Sequence, residues 1–190
     1  MLGYIKKSNL ISALVVTFFT FFIALLVSIG SQALMKAISD IAVAIILLII
    51  IVFLGIFFDI IGTAAAATSV PPFNAKAAKR VFGARQAVKL ARNAGAVANF
   101  CNDVVGDIAG TLSGAIGATI VYYLVGRFNF VDSVLTGAAM TSFIAAITVG
   151  GKSIGKSIAI NNANNIIFSV AIILGWWEKI TGIELFKNRR

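Results

Sequence analysis

Residues 41 to 62, IAVAIILLIIIVFLGIFFDIIG, form an apolar run interrupted by a single charge, Asp59. Such a run leaves few folds open. It exceeds the roughly 20 residues that carry a helix across the hydrocarbon core. Inside lipid a lone segment satisfies its own backbone groups only as a helix, despite its wealth of Ile and Val. A carboxylate in that setting is costly, which makes Asp59 a candidate functional residue in need of a partner.

The rest of the chain extends this pattern. It is 59% hydrophobic and 12% charged, against about 25% charged residues in soluble domains. Further apolar runs cover 9–35, 96–126 and a stretch from Phe130 to Lys152. The first is too long for the core of a signal peptide and is read as retained. The expectation is an all-α integral membrane protein with about four transmembrane helices. A basic juxtamembrane helix and a short C-terminal re-entrant or interfacial helix at 166–177 complete it. The Gly-, Ser- and Asn-rich residues 150–165 read as broken helix or loop, and Trp176 and Trp177 as headgroup anchors.

The net charge of +9 is distributed in blocks. With the N-terminus on the cytoplasmic side, every cation except Lys36 and Arg127 falls on that side. The expected topology therefore has both termini cytoplasmic, in a plasma membrane whose anionic headgroups meet the basic segments. Basic clusters beside apolar runs point to lipid rather than to nucleic acid.

Chemistry is limited by what is missing. With no histidine and Cys101 as its lone cysteine, the chain builds neither an internal disulfide nor a Cys/His zinc site. Haem and nucleotide are not expected. Gly150-Gly151-Lys152-Ser153 lacks the spacing of a phosphate loop, and no hydrolase motif occurs, so enzyme chemistry is not expected. Any metal would be a hard cation held by oxygen.

The richest stretch is 57–107. Lys76, Lys79, Arg80, Arg85, Lys89 and Arg92 follow one another with no acid between them, at spacings that predict an amphipathic surface helix over 75–92. Pro71-Pro72 reads as a stop and Asn74 as a cap. Asn99, Asp103 and Asp107 share one helix face, and the expectation is that one or both acids face a polar cavity. Gly106, Gly110 and Gly114 make a small-residue stripe suited to close helix approach and to a homodimer.

In order and spacing, these features resemble the transmembrane domain of the CNNM/CorC (CorB) magnesium transporters. Phe57-Phe58 followed by Thr63-Ala64, then Asn102 opening a Gly/Ala helix, then Gly151 and Lys156 in a turn carry the likeness. It covers 41–175, with 1–40 an added N-terminal helix and turn, 176–190 a basic tail, and the CBS pair absent. The resemblance implies a homodimer that holds Mg²⁺ near mid-membrane. Asp59, Thr63, Asn102, Asp103 and Asp107 would be its oxygen ligands, with Lys152 and Lys156 nearby.

The chain departs from the family where charge matters. Gly62 stands for a Glu, Asp103 for an Asn, Gly106 for an Asn, Lys152 for a Glu and Gly155 for a Pro. Two outcomes follow: a cation site of side-chain oxygens, or a lysine paired with Asp59 or Asp103 in place of the metal. Divalent-cation transport is one functional expectation. A non-transporting scaffold or regulatory subunit that binds another membrane protein is the other.

Overall fold

The computed structural model describes residues 7–37, 41–128 and 132–182. The first six residues, residues 38–40 of the first turn, residues 129–131 and the tail from Ile183 lie outside the described residues, together with what the sequence implied about them. No strand occurs among the described residues. The helices are α1 (Lys7–Ala37), α2 (Ile41–Ala67), α3 (Pro71–Ala78), α4 (Ala84–Arg92) and α5 (Ala94–Asn99). A π-helical turn (Phe100–Val105) links α5 to α6 (Gly106–Arg127), and α7 (Ser133–Asn161) and α8 (Ala163–Thr181) follow. Three segments are long and apolar enough to cross a membrane: Ile41–Ala67, Ala94–Arg127 and Ser133–Asn161. The chain is a membrane protein with an all-helical fold.

α2 is the central post. Its first half packs Ala44, Leu48, Val52 and Ile56 against Ile116 and Ile120 of α6 and Ile144 of α7. Its last turns pack Ile61, Ala64 and Ala65 into a second cluster with Phe73, Ala87, Leu90, Ile167 and Ala171. α1 makes its main contact with α6. On α7, Val134, Leu135, Phe143, Val149 and Ile154 are exposed, as lipid-facing side chains would be.

The folded chain departs from the local sequence reading in three places. α2 does end before Pro71-Pro72, at Ala67, but the prolines themselves take the first positions of α3, where a missing N–H costs nothing. Asn74 accordingly lies inside α3. The basic segment is also two helices rather than one. α3 ends in a Schellman-type closure, with Arg80 N–H on the Ala77 carbonyl and Val81 N–H on that of Lys76. Arg80 takes the left-handed position at φ 56° that glycine usually fills. Gly83 then turns the chain into α4 at φ 80°, and a Cβ there would lie 2.9 Å from Ile172 Cγ1 on α8.

The third departure is in α7, which runs unbroken to Asn161 through Gly150-Gly151-Lys152-Ser153. The chain turns at Asn162 into the 19-residue helix α8, longer than its apolar patch alone implied. Gly151 and Gly155 in α7 are points of close approach rather than breaks. A Cβ on Gly151 would overlap Ile56, and one on Gly155 would stand 2.7 Å from Ile60 Cγ1. In lipid, where apolar side chains gain nothing by leaving their solvent, such backbone proximity is what holds helices together.

Candidate functional site

Between the two apolar clusters of α2 lies Asp59, only 5% exposed. Among the described residues it is buried together with one other polar side chain, Ser113, which donates to the Ala109 carbonyl within its own helix. Asp59 has no such local answer. The helical period puts Asp59 and Gly62 on one face of α2, one turn apart. The π turn and α6 face them with Asn102 and Gly106, and α7 brings Lys152.

Three helices meet here because glycines let them. Asn102 lies directly over Gly62, so that a Cβ at that position would overlap its side-chain amide. Lys152 in turn passes over Gly106, its Nζ 3.5 Å from where a Cβ would stand. The ammonium reaches Asp59, with Nζ 3.5 Å from Oδ1. That separation makes an ion pair but exceeds the roughly 2.7–2.9 Å of a charge-assisted hydrogen bond.

The π turn sets the register. Buried positions step from Val97 to Cys101 by four, then from Cys101 to Gly106 by five, then on to Ala109 by three. A regular α-helix would turn Val105 inward instead. The wider turn keeps Cys101 against the second cluster while Gly106 stays open to Lys152, and it aims Asn102 at α2. Single π turns inside α-helices commonly mark functional sites.

Two acceptor oxygens at this crossing have no hydrogen-bond donor: Asp59 Oδ2 and Asn102 Oδ1. Both oxygens are buried. A buried acceptor left without a partner costs about 1–3 kcal/mol, and more when it is charged. The arrangement is thus richer in acceptor oxygens than Lys152 satisfies, and its chemistry favours a cation or a strong donor.

The other residues singled out in the sequence are placed differently. Thr63 is half-buried next to Gly62, whereas Asp103 and Asp107 are exposed. Asp103 borders an apolar groove of about 400 Å³ between α1 and the π turn, with Phe19, Ile23, Asn99 and Phe100. Lys156, one turn beyond Lys152, is exposed. No group of three or more His, Cys, Asp or Glu side chains gathers into a metal site among the described residues. What the sequence reading passed over is the role of Gly62, Gly151 and Gly155; of the stripe it did single out, Gly106 lies beside Lys152, while a Cβ on Gly110 or Gly114 would meet nothing within 4 Å. Gly62, Gly151 and Gly155 each admit a side chain from another helix, and the signal for the last two was spacing, since they stand four apart.

The basic segment is fastened to α8. Gln86 Nε2 donates to Glu178 Oε2 at 2.8 Å, and Lys89 stands 4.0 Å from the same carboxylate. Lys76 lies 3.7 Å over the ring of Phe168, and Phe82 meets Trp176 edge-on with centroids 5.9 Å apart. Lys79, Arg80, Arg85 and Arg92 remain exposed on this end of the molecule, as do Trp176 and Trp177.

No family model matches the chain, and neither a curated protein nor a solved structure does.

Proposed function

We propose that this chain is a multi-pass membrane protein that binds and moves a cation at the crossing of α2, the π turn with α6, and α7. The observation that carries this reading is the pair of buried acceptor oxygens without donors, Asp59 Oδ2 and Asn102 Oδ1, beside a carboxylate whose ion pair is long. The motif order shared with CNNM/CorC transmembrane domains supports it, since Asn102 and the Gly151–Lys156 segment come to one locus. In this reading α1 is a fourth crossing and the basic α3–α4 end faces the cytoplasm of a plasma membrane. The exposed lysines and arginines there meet anionic headgroups. A second copy packs on Gly110 and Gly114, where an added Cβ would meet nothing within 4 Å of its own chain.

The test is ligand-linked stability of the purified full chain in detergent. A cation that binds the native site at 100 times its Kd adds about 2.7 kcal/mol to stability. A rise in unfolding temperature with Mg²⁺, Na⁺ or K⁺, absent in Asp59→Asn, is the expected result. A flat response to all three sinks the proposal. A second reading, a non-transporting subunit of another membrane protein, draws on Lys152 already neutralising Asp59. It predicts that flat response together with a stable protein partner in mild detergent.

A further inference from the structure

We infer that the cation handled at this site is singly charged, an alkali ion, and that it trades places with the Lys152 ammonium at Asp59. This rests on the cation-handling reading above and names its substrate class. It departs from the Mg²⁺ that the family resemblance implies.

The argument is one of charge. Asp59 is the buried acid among the described residues, and Lys152 balances it one for one. The crossing is formally neutral, which is the state an apolar interior tolerates; charges left unbalanced there are heavily penalised. Replacing the ammonium by a monovalent cation keeps that balance. Replacing it by Mg²⁺ leaves one net positive charge, and adding Mg²⁺ beside it leaves two. The further acids that would absorb the excess, Asp103 and Asp107, are exposed rather than turned into the crossing.

The donor set agrees. Mg²⁺ takes six oxygens in near-octahedral geometry and gives up water reluctantly. The crossing offers Asp59 and Asn102, with Thr63 a neighbour on α2, and no cluster of three acids. Carboxylate and amide oxygens in that number suit a weakly hydrated monovalent ion.

The exchange also has a route. The Lys152 side chain retains 26% of its exposure while that of Asp59 retains 6%. The lysine can withdraw its ammonium along its own flexible stem, whereas the carboxylate cannot leave. Gly106 lies beside the ammonium, its Cβ position 3.5 Å from Nζ, an ordinary contact distance. Lys152 is therefore an internal competitor of the substrate, and its departure is coupled to cation arrival.

Proteoliposomes holding the full chain test this, with entrapped dyes for Na⁺, K⁺, Mg²⁺ and pH. The expected result is uptake of an alkali ion at least 10-fold above empty vesicles, with Mg²⁺ at the empty-vesicle level. Proton uptake without alkali-ion uptake overturns the inference. Asp59→Asn abolishes the signal. Lys152→Met removes the competitor and lowers the half-saturating cation concentration at least 5-fold. Should Lys152→Met fail to fold, Lys152→Arg keeps the charge but holds Asp59 through two donors, and raises that concentration by a similar factor. Mg²⁺ uptake with Lys152 intact overturns the inference and leaves the cation reading standing. Unchanged half-saturation in the folded variant also overturns the inference. Uptake of no cation at all overturns both.

Discussion

The two halves of α2 use the same helix to opposite ends. From Ala44 to Ile56 it presents branched apolar side chains that interlock with Ile116, Ile120 and Ile144. From Asp59 to Ala65 it commits Ile60, Ile61 and the alanines to the apolar packing and presents one carboxylate and Gly62, where neighbours come close enough to place Asn102 over bare backbone. The first half is held by side-chain contact, and the second by backbone proximity that frames a polar group. In lipid both depend on fit, because neither gains from expelling water. They differ in what a flaw costs: a void in the first half loses dispersion contacts, while an imbalance in the second strands a charge.

The sharpest break in that comparison is Lys152→Ala. It leaves Asp59 buried without its cation, a loss of about 3–5 kcal/mol in line with other broken buried pairs. Thermal unfolding in detergent reads it. Asp59→Ala should cost less, because the partly exposed Lys152 can carry its charge outward. The double variant Asp59→Leu with Lys152→Met should recover most of the stability while giving no response to cations.

In the apolar half, Ile116→Ala opens a cavity at a residue 1% exposed. Its expected cost is about 2 kcal/mol, the low end for such truncations, because no water-transfer gain is lost in a membrane. The response to cations should survive this change at matched temperature.

Gly62→Ala should lower stability by about 1 kcal/mol, since the displaced group is a side-chain amide that can move aside. Its larger effect is on function: with Asn102 pushed off α2, stabilisation by cations should weaken several-fold. A wild-type cation response in this variant would remove Asn102 from the site.

The smallest expected effect is that of Gly110→Ala, where the new methyl meets nothing within 4 Å. Monomer stability should hold or rise by about 0.5–1 kcal/mol from helix propensity. If a second copy packs on this stripe, light scattering in detergent will show the dimer weakened without loss of fold.

Much of this architecture was legible in the sequence, and the places where it was not share a cause. The span at 41–62 followed from length and hydropathy alone, and Asp59 stood out as the charge that needed an answer. Reading Pro71-Pro72 as a stop held, since α2 ends at Ala67, but reading Asn74 as the next cap failed, because the prolines themselves open α3 by the same loss of an N–H. Reading 75–92 as one helix missed the closure at Arg80, a non-glycine residue at positive φ. The glycines of 150–155 looked like a break, yet a transmembrane helix tolerates glycine wherever a neighbour packs on it. Asp103 and Asp107 were grouped with Asn99 on one face, but that face is exposed, since it lies opposite the buried line through Val97, Cys101 and Gly106.

The sequence by itself determined that this chain lives in a membrane as helices, which segments between 41 and 161 are long enough to cross, and that a carboxylate at Asp59 requires a partner. Those conclusions depend on local length, polarity and the cost of unsatisfied groups in lipid. Only the tertiary structure decided that the partner is Lys152, more than ninety positions away, and that Asn102 rather than Asp103 joins it. That choice rests on helix rotation and approach distance, set by where glycines remove a side chain and where one π turn adds a residue.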